Sequence, residues 1–287
     1  MVSKQTVFIT GCSPGGIGNA LARQYHAAGL RVIASARRLE VLDDLRTLGI
    51  ETIQLDVTDL SGIRSARDHV SHLTEGKLDI LVNNAGITYT VPSTDITLEG
   101  ITSLFATNVF SVMLICQEFV PLLIAAKGKI VNIGSVLGIL PVPFGSVYNA
   151  SKAAVHQYGD TLRLELKPFG VQVITVIMTG RVQSNIASHH KDITPESLYY
   201  LIHDEYEAKR KAVSEKAATP TDEFAQHVVR RTLKSRPARR IWGGGGSFLT
   251  WFLTSLLPHG WLDGVLIRMF GLDILTRRLK AKDVPSQ

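Results

Sequence analysis

Thr6-Val7-Phe8-Ile9-Thr10-Gly11-Cys12-Ser13-Pro14-Gly15-Gly16-Ile17-Gly18 stands almost at the start of the chain. Its first five residues are β-branched or apolar, the composition of a buried strand. The turn that follows is rich in glycine, and residues 19–28 read as a helix. A strand, a glycine-rich turn and a helix N-terminus make a phosphate cradle. Glycine lets backbone N–H groups come close to a pyrophosphate, and the helix end adds partial positive charge. The candidate contacts are Gly11, Ser13, Gly16, Ile17 and Gly18. A glycine cluster by itself also fits an ordinary turn; its place after the first strand and before a helix favours the cradle.

Working outward, apolar runs alternate with helical patterns along the chain, the signature of repeated βαβ units. The expected fold is α/β, a Rossmann-type doubly wound parallel sheet in a single domain. The next strand, Arg31-Val32-Ile33-Ala34-Ser35-Ala36, runs into Arg37 and Arg38 and then a helical stretch at 39–48. An acidic residue here suits the ribose hydroxyl of NAD, whereas arginine suits the extra phosphate of NADP. Two arginines at a helix start also oppose the helix dipole, which points to an anion nearby; solvated surface arginines are the alternative. Two further strands, Asp79-Ile80-Leu81-Val82-Asn83-Asn84-Ala85-Gly86 and Lys129-Ile130-Val131-Asn132-Ile133-Gly134-Ser135, end in polar groups or glycine. In open parallel sheets, ligands bind beyond the carboxyl ends of strands.

Tyr148-Asn149-Ala150-Ser151-Lys152 carries the chemistry. A spacing of four residues puts the phenol and the ammonium on one helix face. The ammonium favours the phenolate. An unperturbed tyrosine titrates near ~10, and one brought closer to neutrality can act as general acid or base. Alone, the pair reads as a half-buried aromatic beside a solvated lysine; the four other features, in this order, favour the chemistry.

Together these pieces resemble the short-chain dehydrogenase/reductase family over about residues 5–235. The matches are the turn at 10–18, Asp56-Val57, Asn83-Asn84-Ala85-Gly86, Asn108, Ser135, and Tyr148 with Lys152. The resemblance implies that Tyr148 is the proton donor or acceptor and that Ser135 hydrogen-bonds the substrate carbonyl. It implies that Lys152 holds the nicotinamide ribose and lowers the Tyr148 pKa, and that Asn108 supports a water joined to Lys152. It implies adenine contacts from Asp56 and Val57, and adenine-ribose contacts from Asn84, Ala85 and Gly86. Val182 and Ser184 match the contacts to the nicotinamide carboxamide. The implied cofactor is NADP(H). Two departures stand out. Pro14-Gly15 lengthens the first turn by one residue, and Thr179-Gly180 replaces the family's usual Pro-Gly, a loss expected to loosen that loop. The first turn and the distal Arg268-Met269-Phe270-Gly271-Leu272-Asp273 look like the fungal NADPH-dependent 1-acyldihydroxyacetone-phosphate reductase group. That group is associated with lipid ketones at endoplasmic reticulum and lipid-droplet membranes, and it also contains relatives working on other hydrophobic carbonyls.

At 287 residues the chain can bury one large core. The expected organisation is a catalytic domain at 1–242 with a helical substrate lid at about 185–217, then an apolar and basic extension at 243–287 that begins with a glycine break. Leu198, Tyr199, Tyr200, Leu201 and Ile202 either wall an apolar pocket or pack the lid onto the core. His189 and His190 have no partner at ligand spacing, so no metal is expected. Two cysteines are too few for a disulfide framework, and a reducing compartment is expected. The net charge of +6 lies in local clusters that an anionic cofactor or a membrane surface explains. No nucleic-acid motif accompanies them. No signal peptide is expected before the first strand, and the expected location is the cytosolic side, peripheral on endoplasmic reticulum or lipid droplets. The apolar runs of the tail fall short of the ~20 residues of a bilayer span, and Trp251, Trp261 and the nearby arginines suit an interfacial segment. The alternatives are a cover over the cleft or a subunit contact. Helices at 109–126 and 148–167 resemble those that pair subunits in the family, so a homodimer or homotetramer is expected.

The leading expectation is an NADPH-dependent reductase of a hydrophobic or lipid ketone. A short-chain ketoreductase or dehydrogenase of a specialised-metabolite pathway uses the same machinery with another pocket. A catalytically silent NADP-binding scaffold has no need to keep Asn108, Ser135, Tyr148 and Lys152 together.

Overall fold

The protein is seen in a computed structural model that describes residues 4–184, 186, 193–208, 218–258 and 260–282. Seven strands form one sheet: β1 (Thr6–Ile9), β2 (Arg31–Ala36), β3 (Glu51–Gln54), β4 (Ile80–Asn83), β5 (Lys129–Ser135), β6 (Gln172–Thr179) and β7 (Arg240–Gly244). Their order is β3-β2-β1-β4-β5-β6-β7, and every neighbouring pair is parallel. The chain winds outward from β1 in one direction and from β4 in the other. The crevice beyond the carboxyl ends of β1 and β4 is therefore the topological switch point, where such sheets take ligands. The expected Rossmann-type sheet is the one observed.

Alternation along the strands makes two cores. Val7 and Ile9 face one side of the sheet and Phe8 the other; Ile80 and Val82 oppose Leu81 in the same way. The connecting helices are α1 (Ile17–Ala27), α2 (Asp43–Arg46), α3 (Leu60–Leu73), α4 (Leu98–Phe105), α5 (Ser111–Ala126), α6 (Ser146–Glu165) and α7 (Thr221–Thr232). Helices α1 and α7 close the first core, and α3, α5 and α6 the second. The Tyr25 hydroxyl meets that of Thr232 at 2.7 Å and ties α1 to α7. Phe119 stacks on Phe8 at 5.0 Å across the other face. Each such buried side chain contributes about 1.5–3 kcal/mol. The continuous helix Leu98–Ala126 is long and apolar enough, by length and composition alone, to cross a membrane. Here its Val112, Ile115, Phe119 and Leu123 pack in the second core.

Four expectations are revised. The helix expected at 39–48 is a 3₁₀ turn at Leu39–Leu42 followed by the single turn of α2. The glycine run at 243–246 is not a break between two parts: Gly243 and Gly244 belong to β7, paired with Met178 and Thr179 of β6. A boundary at 242/243 would cut that strand. From it the tail continues as α8 (Ser247–Leu256), α9 (Asp263–Met269) and α10 (Leu272–Lys282). The loop after β6 is tied despite its missing proline: the Thr179 hydroxyl donates to the Gly243 carbonyl at 3.0 Å, and Thr219 exchanges backbone hydrogen bonds with Arg181 and Gln183.

Within the lid, residues 185, 187–192 and 209–217 lie outside the described residues, His189 and His190 among them. The rest divides. Leu198 and Tyr200 are exposed, while Tyr199, Ile202 and Tyr206 pack with Phe144 and with Phe270, Leu272, Ile274 and Leu275 of the tail.

Candidate active site

The first turn is shaped by close backbone approach. Gly11 has φ +73°, and a Cβ there would come within 2.8 Å of Ala85 Cα. A Cβ on Gly18 would collide with the Asn84 amide and the Gly11 carbonyl. That amide is already engaged, donating to the carbonyls of Thr10 at 2.8 Å and Gly11 at 2.9 Å. The Thr10 hydroxyl accepts in return from the backbone N–H groups of Asn84 and Ala85, both at 3.1 Å. The ends of β1 and β4 are thus stapled together, and the Asn84 side chain is spent on the staple. The extra residues Pro14 and Gly15 sit at the exposed tip, where Gly16 N–H closes on the Ser13 carbonyl at 3.1 Å.

Helix α4 runs into α5 through a π-helical stretch, Ala106–Phe110, in which Ser111 N–H reaches back five residues to Ala106. Such widenings are frequent at functional sites. This one turns Asn108 inward. Its Oδ1 accepts from Ile87 N–H at 2.9 Å, and its Nδ2 donates to the Ile87 carbonyl at 3.0 Å and to Ser151 Oγ at 3.2 Å. Ser151 lies between Tyr148 and Lys152 on α6, and its hydroxyl donates to the Tyr148 carbonyl at 2.7 Å. The side chain of Asn108 thus ties the loop at Ile87 to the helix that carries the tyrosine.

Ser135 ends β5 facing Tyr148. Its hydroxyl accepts from Leu137 N–H at 3.2 Å and lies close enough to the Tyr148 phenol to bear on its titration. Lys152 donates to the Ile133 carbonyl at 3.0 Å and lies 5.7 Å from the centre of the Tyr148 ring. Burial pushes the Tyr148 phenol up to about 12, with the Ser135 hydroxyl pulling the other way. Burial also pulls the Lys152 ammonium down to about 8. In the protein alone removal from water therefore dominates the titration of Tyr148; the lowering expected from Lys152 is a joint effect with the positive nicotinamide ring. Cys12 and Cys116, both buried, are pushed up to about 12 and are poor nucleophiles.

A cleft of about 380 Å³ opens at the switch point. Its wall includes Gly11, Ser13, Gly16 and Ile17 of the first turn, Arg37, Asp56 and Val57, the run Asn84 to Gly86, Tyr148 with Lys152, and Ser184. Of the other predicted residues, Gly18, Asn108 and Ser135 are buried just behind it, and Val182 is held in a bridge to Thr219. Arg38 stands exposed beside it. The Asp56 carboxylate accepts from the N–H and hydroxyl of Thr58, at 2.9 and 2.7 Å, and so shapes its own loop. An apolar wall of Ile87, Ile133, Met178 and Ile186 completes the cleft. None of these four was singled out in the sequence, although each stands in or just beyond a strand end or the adjoining loop. Ser151 was missed too; a serine between the tyrosine and the lysine was the available signal.

The residues fit a phosphorylated dinucleotide. Close packing at Gly11 and Gly18 against Ala85 and Asn84 fixes the turn, and Gly11, Ser13, Gly16 and Ile17 of that turn line the cleft. Among the described residues, neither Arg37 nor Arg38 has a carboxylate partner for its guanidinium.

The family model for short chain dehydrogenases matches residues 5–193. The short-chain dehydrogenase virD of Hypocrea virens is 40% identical over 92% of this chain and 92% of its own length. An NADPH-dependent 1-acyldihydroxyacetone phosphate reductase of Schizosaccharomyces pombe is 44% identical over 70% of this chain and 69% of its own. A metagenomic short-chain oxidoreductase, solved in complex with NADP, is 31% identical with a TM-score of 0.58, covering 63% of this chain and 86% of that one.

Proposed function

This chain belongs to the short-chain dehydrogenase family and is an NADP(H)-dependent oxidoreductase of CH–OH and C=O groups, and from that premise we propose that it reduces a hydrophobic or lipid ketone, with 1-acyldihydroxyacetone phosphate the first candidate. The observation that carries this reading is the buried Tyr148 phenol at the cleft wall, with Ser135 beside it and Lys152 one helical turn on.

When bound, the reduced nicotinamide supplies a hydride. Ser135 orients the substrate carbonyl toward Tyr148. The phenol, pushed up to about 12, is fully protonated at neutral pH, the state needed to give a proton to the new alkoxide. Lys152 holds the cofactor ribose and replenishes the tyrosine, while Asn108 keeps the helix in place through Ser151. The glycine turn and Ser13 cradle the pyrophosphate, Arg37 and Arg38 take the extra phosphate, and Asp56, Val57 and the run Asn84 to Gly86 line the adenosine end. Val182 and Ser184 border the nicotinamide carboxamide.

The choice of a bulky substrate is supported by the apolar wall of the cleft and by the exposed apolar side chains of the tail. Phe248, Leu249, Trp251, Phe252, Leu256, Val265 and Ile267 all face solvent. On this reading α8 and α9 lie peripherally on a lipid surface, of endoplasmic reticulum or lipid droplets, and a poorly soluble ketone enters from it. Phe110 and Leu164, half exposed or more on the long helices, support a homo-oligomer. A specialised-metabolite ketoreductase is the second reading, favoured by the end-to-end likeness to virD, named only as a short-chain dehydrogenase.

The test is NADPH oxidation by the purified protein against acylated dihydroxyacetone phosphate and a panel of bulky ketones. Turnover of the acylated phosphate supports the first reading, and turnover of other ketones alone supports the second. No oxidation with any ketone, in a protein that binds NADPH, leaves the silent scaffold.

A further inference from the structure

Resting on the roles given above to Ser135 and Tyr148, we propose that His156 is a positioning residue that fixes Ser135, and through it the Tyr148 phenol, for proton delivery. His156 lies one helical turn beyond Lys152 on α6 and is only 5% exposed. Its Nε2 accepts the backbone N–H of Ser135 at 3.3 Å. Two side chains on one helix face thus grip two backbone groups of β5, Lys152 at the Ile133 carbonyl and His156 at the Ser135 N–H. The grip falls where β5 needs it. β4 pairs with β5 only as far as Asn132, while the pairing with β6 continues to Ser135. The serine that faces the tyrosine therefore sits on a strand end supported by one neighbouring strand and by α6.

The imidazole is confined on both sides by glycine. A Cβ on Gly134 would collide with Nε2, and one on Gly138 would come within 2.7 Å of Cε1. Since the Ser135 N–H donates, Nε2 must carry a lone pair and the ring proton sits on Nδ1. The surroundings keep it so. Burial, with Arg240 from β7 and Lys152 from the same helix, pushes the imidazole down to about 4, against a weaker opposite pull from Asp160, itself paired with Arg240 at 2.6 Å. A neutral acceptor is thus held beneath Ser135 throughout the neutral range. Removing it leaves a buried N–H unpaired and the serine free to shift, and misplacement by about 1 Å costs on the order of 10² in rate.

The test compares His156→Leu, which keeps most of the volume, with His156→Gln, whose amide oxygen reaches a similar point. His156→Leu is expected to lower kcat about 10- to 100-fold with the NADPH Kd unchanged, and to move the alkaline limb of the pH profile upward as Tyr148 loses the Ser135 hydroxyl. His156→Gln should recover most of both. In a Ser135→Ala background, His156→Leu should add nothing further. Equal losses in the two backgrounds, or no recovery with glutamine, overturn the proposal. Should the leucine variant fail to fold, nitrogen NMR of the wild-type protein decides without turnover. A neutral ring protonated on Nδ1 from about pH 5.5 to 8 is expected, whereas titration near the ordinary ~6.5 or a proton on Nε2 overturns it. That measurement holds whatever reaction the site performs, so its failure is separable from a failure to reduce ketones.

Discussion

Burial pulls the Lys152 ammonium from 10.5 down to about 8. Between those values the folded protein holds fewer protons than the unfolded chain, so stability rises with pH through that window. The cost of the buried charge is fully present below pH 8 and amounts to about 3 kcal/mol at ~1.36 kcal/mol per pH unit. That cost is already net of the hydrogen bond to Ile133, but methionine would leave the Ile133 carbonyl without this donor, which costs roughly 1 kcal/mol. Lys152→Met is therefore expected to stabilise the cofactor-free protein by about 2 kcal/mol at pH 7, with the gain shrinking toward pH 10.5, while turnover is lost. Urea denaturation at pH 7 and pH 10 checks this; a variant less stable at pH 7 contradicts it. Arg37 is exposed on the cleft rim, so its removal should cost affinity without costing fold. A charged hydrogen bond is worth about 1.5–3 kcal/mol. Arg37→Ala should weaken NADPH binding by one to two decades and leave NADH nearly unchanged; equal losses for both show the residue to be structural.

At the scale of elements, the tail holds the lid. Phe144, at φ +65°, gives its carbonyl to Val91 N–H at 2.8 Å and meets Tyr199, Tyr206 and Phe270 edge-on at 5.3, 5.2 and 6.0 Å. Arg278 of α10 pairs with Glu205 at 2.6 Å and also donates to the Leu201 carbonyl. Lid, tail and the loop leading into α6 therefore meet at one aromatic cluster, four residues before Tyr148. An aromatic pair is worth about 0.5–1.5 kcal/mol beyond its buried area. Phe270→Ala should raise KM for a bulky ketone two- to tenfold and leave the NADPH Kd alone; a matching loss of NADPH affinity would refute the link. These contacts were not readable beforehand, because Phe144, Tyr199 and Phe270 are far apart in sequence and nothing local marks them as neighbours. The glycine turn and the Tyr148–Lys152 pair were readable, since turn chemistry and helical spacing are local. Gly243-Gly244 misled for the complementary reason: their composition says break, but the β6 backbone alongside makes them strand. His156 carried no local sign of the β5 group it meets, whereas Ser151 was marked by its place between Tyr148 and Lys152.

For the whole molecule, the sheet brings two separately legible halves together. One half supplies the glycine turn and Arg37, the other Tyr148 and Lys152 with Ser135 buried behind them, and the switch point between β1 and β4 joins the two halves at one cleft. The exposed α8 is the outward face of the same design. Because Phe270 and Arg278 bind the lid, cutting the chain after Gly246 would disturb the cleft as well, so point changes are the cleaner probe. Each large side chain withdrawn from water contributes about 1.5–3 kcal/mol. Trp251→Ser with Phe252→Ser should abolish liposome co-sedimentation while NADPH binding persists; equal sedimentation of wild type and variant contradicts the lipid-surface reading. The central claim, proton delivery by Tyr148, is tested most directly by Tyr148→Phe in single turnover at saturating NADPH, on any ketone the wild type reduces. NADPH affinity should hold while NADPH oxidation slows by about 10²–10⁴-fold; near-normal oxidation by the phenylalanine variant would contradict the account.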